Sequence, residues 1–528
     1  TPHNLDFSVI FMSNKPVRKC VEFFCAIFLG GNRMKTKVLL AALLVAAVPT
    51  VSLFASCTKQ ERQTNGDDKQ QEQGDTDNKQ NEEDVDPLTL AHSPNVPADV
   101  KFDGETFSIL IGSVGGFMYA EEETSDIVND TVYNNNLNVE ERFGIKLNIV
   151  KGGYDATGGG QGQAAAQFRS LIEANDTTYH AFTHVQHTGM PQMILEKYFV
   201  DWNTLPYINL EEEWWYQNIT KDLCFGDKVY VMTGDYARYI DSIDCLVFNK
   251  QIFDELGLEY PYQDVLDGTW TWDKFEELVA QGAKDLNGDG NIEVGNDRFG
   301  YSTHEHGASF QVMYSTGSRL LVKDSDDIPY CPGVTQVTEK AYTDFYSLID
   351  SQYATMYFNK DGDKKVSVKN GESLFWDTYV KELSVMGDYD YEFGLVPWPN
   401  FNEGEDGYSC HVSCYVHEFG VPYTVTDADR TGAIIEALAY GGYSSVIDEY
   451  YEQTLQIQKS RDDESKEMLK IIRDSRAYDL GFFHVSLEPL SSMGNLIATI
   501  PTHNLSTFYN KYKAQIDVKL AELIEKYE

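Results

Sequence analysis

The order of apolar runs after residue 100 constrains this chain most. Phe107-Ser108-Ile109-Leu110-Ile111 is a short apolar run that ends in Gly112-Ser113-Val114-Gly115-Gly116, the pattern of a strand followed by a loop. A helical stretch follows from Asp126 to Phe143, with Val128, Val132, Leu137 and Val139 in its apolar set. Ile145–Val150 alternates as a strand, a glycine-rich loop spans Gly152–Gly162, a helix runs Ala164–Ala174, and Ala181–Val185 is a third strand. Strand, helix, strand, helix, strand implies an open α/β sheet with crossover helices. In such sheets a ligand sits beyond the carboxyl ends of the strands, which points to the loops at Gly112–Tyr119 and His184–Gly189.

Further along, Lys228–Met232 and Ser242–Phe248 look like strands. Helices are expected at Lys250–Leu256, Trp272–Lys284, Val334–Ser351, Asp377–Leu383, Asp427–Ala439, Ser444–Lys459, Asp462–Asp474 and Leu505–Lys526. Strands are expected at Glu392–Val396 and His411–Phe419, and no internal repeat is visible.

The start of the chain has a different character. Before Met34 no targeting pattern stands out, and residues 1–33 are read as a mis-annotated extension of the frame. From Met34, Lys35 and Lys37 give a positive start, Val38–Phe54 is an apolar run, and Leu53-Phe54-Ala55-Ser56-Cys57 closes it, so residues 34–56 form a secretory signal. A small residue just before Cys57 resembles a lipoprotein processing site, although Phe54 stands where Leu or Val is usual. A transmembrane anchor is the alternative, since the run nearly spans a bilayer. Residues 58–86 are Gln, Asn, Asp, Glu and Lys with almost nothing apolar, so 57–99 is a lipidated Cys57 followed by a disordered acidic linker. The protein is then placed on the extracellular face of the cytoplasmic membrane.

Lys and Arg number 42 against 83 Asp and Glu, a formal net charge of −41, which disfavours nucleic acid as a partner. Excluding Cys57 and the leader's Cys20 and Cys25 leaves Cys224, Cys245, Cys331, Cys410 and Cys414, an odd number that builds no complete disulfide framework. Cys410 and Cys414 lie about 13 Å apart along a strand, too far for one another.

The sequence then becomes similar to a known family. Asp227-Lys228-Val229-Tyr230, Asp244-Cys245-Leu246-Val247-Phe248-Asn249-Lys250, Phe253-Asp254-Glu255-Leu256-Gly257-Leu258, Pro261 and Thr271-Trp272-Asp273-Lys274-Phe275 follow one another in order. Asn138–Lys146 precedes them and Glu392-Phe393-Gly394-Leu395-Val396-Pro397-Trp398-Pro399 follows. This succession, from about residue 105 to 440, resembles the family 1 extracellular solute-binding proteins, the lipoproteins that serve sugar-type ABC importers, of the maltose-binding-protein class. The resemblance implies a bilobal periplasmic-binding-protein-like fold (class II), with two α/β lobes joined by crossing hinge strands. Lobe 1 would be 100–243 plus 417–443, and lobe 2 would be 244–416 plus 444–528. It also implies a monomer that takes a mono- or oligosaccharide between its lobes and delivers it to ABC permease subunits, without catalysis and with no cofactor needed for function.

By position, the ligand-binding candidates are Gly112, Ser113, His187, Asp235, Tyr236 and Trp376. In related sugar binders an acidic residue precedes the crossing strands and an aromatic ring in the second lobe stacks on a pyranose; Asp235, Tyr236 and Trp376 fit those places. Asp235 reads equally as a cap or solvated turn, and Trp376 equally as a core ring. Asp285-Leu286-Asn287-Gly288-Asp289-Gly290-Asn291-Ile292-Glu293 matches the first half of a calcium loop, with oxygen groups at positions 1, 3 and 5 and Gly at 6. Position 12 is Asn296 rather than Glu, and Asp297 follows. A structural Ca²⁺ would be held by Asp285, Asn287, Asp289, Asn291, Glu293 and Asp297; the alternative is a metal-free run of Asx and glycine turns. No Gly-x-Ser-x-Gly elbow or phosphate loop is present, and His304-Glu305-His306 lacks metal spacing. The rival functions are a secreted glycan hydrolase, which needs two acids facing each other across a cleft, and a surface glycan-binding or signalling lipoprotein without a permease.

Overall fold

The computed structural model describes residues 92–112, 119–152, 161–186, 189–224, 226–237, 242–357, 368–404, 407–457, 463–498 and 503–527. Cys57, Ser113 and His187, together with the leader and spacer, lie outside the described residues. Val85–Glu528 forms one compact unit.

Two sheets organise it. The first contains β1 (Thr106–Ile111), β2 (Lys146–Lys151) and β3 (Ala181–Val185). The second contains β4 (Asp244–Asn249), β5 (Phe299–His304), β6 (Ala354–Tyr357), β7 (Ser373–Tyr379) and β8 (Phe393–Val396). The chain then returns to the first sheet as β9 (His417–Gly420). Strand orders are β9-β3-β1-β2 and β8-β4-β7-β5-β6. The protein is therefore an α/β fold of two lobes, each built on its own sheet.

β1 lies between β2 and β3, parallel to both, with Phe107 opposite Leu147 and Leu110 opposite Phe182. A strand covered on both faces needs no alternation, and β1 is buried from Phe107 onward. The first crossover helix, Ile127–Phe143, begins at Asp126, whose carboxylate accepts the Asn129 N–H at 2.9 Å. It ends at Gly144, in the left-handed conformation at φ 66°. β9 runs antiparallel to β3, with Glu418 opposite His184.

In the second sheet β7 is central; β4 lies between β7 and β8, antiparallel to both, while β5 is parallel to β6 and β7. The structure corrects the expected helix at Asp377–Leu383: Ser373–Tyr379 is a strand, and a 3₁₀ segment begins only at Val380. Its first five residues are all buried, so the two-residue alternation that marks a strand is missing. Lys228–Met232 does not form a regular strand; Met232 makes a single antiparallel bridge to Phe419. The expected strand His411–Phe419 is broken into Cys410–His411, which pairs with Arg476–Ala477, and β9.

Among the described residues, three segments link the lobes. The first enters β4 from Ser242 and Ile243. The second leads into β9, and it lies beside the first: Ser413 N–H donates to the Ser242 carbonyl at 2.8 Å, and Ile243 bridges Val412. The third is helical, from Ala428–Gly441 through a π turn at Gly442–Val446 into Ile447–Ile457. Gly442 is required by space rather than by backbone angle. A Cβ there would lie 2.2 Å from the Asp235 carbonyl oxygen.

The start of the folded part is pinned by one acid on that third segment. Glu436 is fully buried. Its Oε1 accepts from Ser93 Oγ (3.1 Å), Asn95 Nδ2 (2.8 Å) and Trp214 Nε1 (3.1 Å), and its Oε2 accepts from Trp215 Nε1 (3.1 Å). Burial pushes the carboxyl up to about 7, against the pull of those four donors. The chain's last helix, Leu505–Tyr527, reaches the first lobe at its end, where Lys197 Nζ donates to the Tyr527 carbonyl at 2.8 Å.

Candidate functional site

The junction of the crossings holds a polar compartment built from distant parts of the chain. Residues 214–216 and 233–235 lie side by side. Asp235 N–H donates to the Trp214 carbonyl (3.1 Å) and Tyr216 N–H to the Thr233 carbonyl (3.2 Å). Gly234 permits this approach, because a Cβ there would sit 2.4 Å from the Trp214 oxygen. The result sets Asp235, Thr233 and Tyr216 together, all of them buried.

The C-terminal part supplies the cations. Arg473, on the helix Asp463–Asp474, donates from Nη2 to Asp235 Oδ2 at 2.7 Å. The Asp235 side chain is fully buried and Arg473 is 18% exposed. Arg476 lies over the Tyr216 ring, its guanidinium carbon 3.5 Å from the ring centroid. The Asn218 amide donates to the Arg476 carbonyl and ties that segment to the first lobe. Burial pushes the Asp235 carboxyl up, and Arg473 and then Arg476 pull it back. Burial also drives the Tyr216 phenol far above its usual range, so it stays a neutral donor. Buried polar atoms here without a hydrogen-bond partner include Thr233 Oγ1 and Nε and Nη1 of Arg476, while the Tyr216 hydroxyl sits beside the Asp235 carboxylate and helps to lower it. Buried polar groups are normally satisfied, so such a concentration marks a place where something polar can be bound.

The other sequence candidates fall elsewhere. Tyr236 follows Asp235 but turns into the first lobe's core, with ring centroids 4.4 Å from Phe419 and 5.5 Å from Trp215. Gly112 follows β1 and lies against the His184 ring, which a Cβ would meet at 2.2 Å. Trp376 lies mid-sheet on β7, opposite Val247 on β4, and is 1% exposed. Tyr391 and Phe393 pack edge-on against it, so of its two sequence readings the structure places it as a core ring.

The sequence did not flag a pair of acids at the second lobe's edge. Asp244 opens β4, and Asp377 on β7 faces Leu246, one step diagonal from it. Asp377 Oδ1 accepts the Tyr301 hydroxyl at 2.9 Å, and Asp244 Oδ1 accepts Trp398 Nε1 at 3.3 Å. Burial raises both carboxyls, and the Asp377 charge raises Asp244 further. Each charge disfavours ionisation of the other in a low dielectric, which adds to the upward push of burial on Asp244. Asp244 could have been noticed as the lone charge at the head of an apolar strand run. Glu418 on β9 is a third surprise. It is fully buried, with neither carboxylate oxygen partnered, and burial raises it well above its usual range.

The Asp285–Asp297 loop folds around its own backbone. Asp285 accepts N–H groups of Gly288 (2.6 Å) and Gly290 (2.7 Å), Asn287 accepts Asp289 N–H (2.8 Å), and Asp289 accepts Asn291 N–H (2.9 Å). Asp297 closes the loop by accepting from Leu286 (2.8 Å), Asn287 (3.3 Å) and Glu293 (2.9 Å). Against the upward push of burial, these three N–H groups hold the Asp297 carboxyl below its usual range. Gly288 and Gly290 supply positive φ, 78° and 92°. Among the described residues, no group of three or more His, Cys, Asp or Glu side chains is set to hold a metal ion. Nor is any helix among them long and apolar enough to cross a membrane.

No family model matches the sequence, and no curated protein matches it. Many solved structures share its general arrangement. The apo form of RafE from Streptococcus pneumoniae is 14% identical, with a TM-score of 0.48, covering 81% of this chain and 99% of that one. The GacH receptor of Streptomyces glaucescens, solved unliganded and with acarbose, is 12% identical with a TM-score of 0.47, covering 80% of this chain and 100% of that one. The maltose/maltodextrin-binding domain MalE from Bdellovibrio bacteriovorus, bound to maltotriose, is 13% identical with a TM-score of 0.46, covering 80% of this chain and 100% of that one.

Proposed function

We propose that this chain is the substrate-binding lipoprotein of an ABC importer, that it captures a mono- or oligosaccharide between its two lobes, and that it catalyses no reaction. The observation that carries the reading is the compartment at the lobe crossings. Asp235 and Tyr216 come from one side, Arg473 and Arg476 from the other, and the buried Nε and Nη1 of Arg476 have no partner. A ligand there touches both lobes at once, and so stabilises the closed arrangement by its differential affinity for it. The assignment of lobes to 100–243 plus 417–443 and 244–416 plus 444–528 belongs to the same reading, as does lipid anchoring at Cys57 on the outer face of the cytoplasmic membrane.

The test is a ligand panel by calorimetry and thermal shift. A bound sugar raises the melting temperature through RT ln(1 + [L]/Kd). Silence across pentoses, hexoses, uronates, sugar phosphates, glucans, xylans and mannans rejects the reading. The proposal also gives the Asp285–Asp297 loop a structural Ca²⁺, supported by its spacing of oxygen groups and glycines.

A further inference from the structure

We infer that the captured ligand carries an anionic group, a carboxylate or a phosphate, and that the Arg476 guanidinium takes it while Asp235 accepts a ligand hydroxyl. This rests on capture at the lobe crossings, and it adds the chemical class of the ligand. Two guanidiniums, Arg473 and Arg476, face one carboxylate, Asp235, and both act to keep that carboxyl ionised. Asp235 Oδ2 is already engaged by Arg473 at 2.7 Å. That pair is neutral as a unit, and Arg476 is left with its positive charge.

The unpartnered atoms on Arg476 are Nε and Nη1. Arg476 is held at both ends: its guanidinium carbon lies 3.5 Å from the Tyr216 ring centroid, and its carbonyl is held by Asn218. A guanidinium held over a ring, with two buried nitrogens that lack a protein acceptor, is organised for a planar or tetrahedral oxyanion. A neutral sugar hydroxyl could accept one of these N–H groups, yet it would leave the part-buried guanidinium without a counter-charge of its own. The Asp235 carboxylate is fully buried, and the Tyr216 hydroxyl beside it engages it only loosely. As an acceptor it suits a hydroxyl donor and repels a second anion. The complementary ligand is therefore a saccharide or polyol with both free hydroxyls and one acid group, such as a uronate-bearing sugar or a sugar phosphate.

The experiment is titration calorimetry of the full-length protein with matched pairs: galacturonate and glucuronate oligomers against galactose and glucose oligomers, and hexose and glycerol phosphates against the free sugars and glycerol. Inorganic phosphate is an added control. The acidic member of at least one pair should bind at least tenfold more tightly than its neutral counterpart. Arg476→Gln should weaken acidic binding by roughly ten- to a hundredfold, the range for losing hydrogen bonds to a charged group, and should lower the ratio of acidic to neutral affinity. The uronate and phosphate arms separate the two sources of the anion. Should Arg476→Gln fail to fold by circular dichroism, Arg476→Lys keeps the charge and loses the fork, and the wild-type ratio of acidic to neutral affinity still decides. Equal or tighter binding of the neutral members, or an acidic affinity unmoved by a folded Arg476→Gln, overturns the inference and leaves sugar capture standing. Silence from both classes overturns both.

Discussion

Glu436 makes a stability prediction whose size follows from its surroundings. Its carboxyl rises from the ordinary 4.5 to about 7 because it is buried, and four donors converge on it. An acid raised on folding binds its proton more tightly in the folded chain. Its stabilising contribution is therefore fully present below about 4.5 and is lost as pH rises through about 7. The whole span is worth about 3 kcal/mol, of which about 2–3 kcal/mol falls between pH 5 and pH 8. Glu436→Gln cannot titrate. Its amide keeps one oxygen for three donors and turns an NH₂ toward the fourth, at a pH-independent cost of about 1–3 kcal/mol. The gap between wild type and variant should accordingly be widest at pH 5 and shrink by about 2–3 kcal/mol at pH 8. For a folded unit of about 440 residues, 1 kcal/mol moves the melting temperature by about 1 °C. Calorimetric melting of both proteins at pH 5, 6, 7 and 8 reads a convergence of about 2–3 °C. Other raised acids, Asp377 and Asp479, are common to both proteins and cancel. Parallel pH profiles would refute the account of Glu436.

Removing one half of the junction's ion pair should be expensive. Arg473→Met leaves Asp235 buried and unpaired, at about 3–5 kcal/mol, and adding Asp235→Asn should recover part of that loss; a single variant within about 1 kcal/mol of wild type in urea denaturation rejects it. Gly442→Ala should destabilise by about 1–3 kcal/mol, because the new methyl meets the Asp235 carbonyl. The helix-propensity gain of about 1 kcal/mol works against this, so an unchanged or raised melting temperature would show that the crossing helix has room to move. If the Asp285–Asp297 loop holds calcium at a hundredfold excess over its Kd, a chelator should remove about 2.7 kcal/mol. No change on chelation, with no calcium found by elemental analysis, dismisses the ion.

Much of the first sheet is legible because its signals are local. The apolar run at β1, the Asp126 cap and the Gly144 stop of the first crossover helix are each set by neighbouring residues. The second sheet is harder. β7 is buried through Ser373–Asp377 and so loses the alternation of a half-exposed strand, while its Asp377 imitates a helix cap. β5 includes Gly300, where only glycine fits because a Cβ would meet the Val279 carbonyl oxygen at 1.9 Å. A glycine that argues against a strand in the sequence is there a packing requirement. The candidate site divides the same way. Asp235 could be placed by its position before a crossing strand, whereas Arg473 and Arg476 arrive from a helical tail more than 230 residues later, and nothing local marks them.

The same reasoning separates two meanings of acidity in this chain. The net charge of −41 is a property of the whole molecule. Its field decays within about 8 Å at physiological ionic strength. The acids that govern the junction and the second sheet's edge are few and buried: Asp235 held by two guanidiniums, and Asp244 beside Asp377. For an anionic ligand the two effects oppose each other, since the surface repels what Arg476 would bind. Added salt should screen the long-range repulsion more than the contact, because buried pairs are screened least. The association rate of an acidic saccharide should therefore rise between about 20 and 200 mM salt, opposite to the fall expected for electrostatically steered binding. A stopped-flow rate that falls with salt would mean that a positive approach path outweighs the acidic surface.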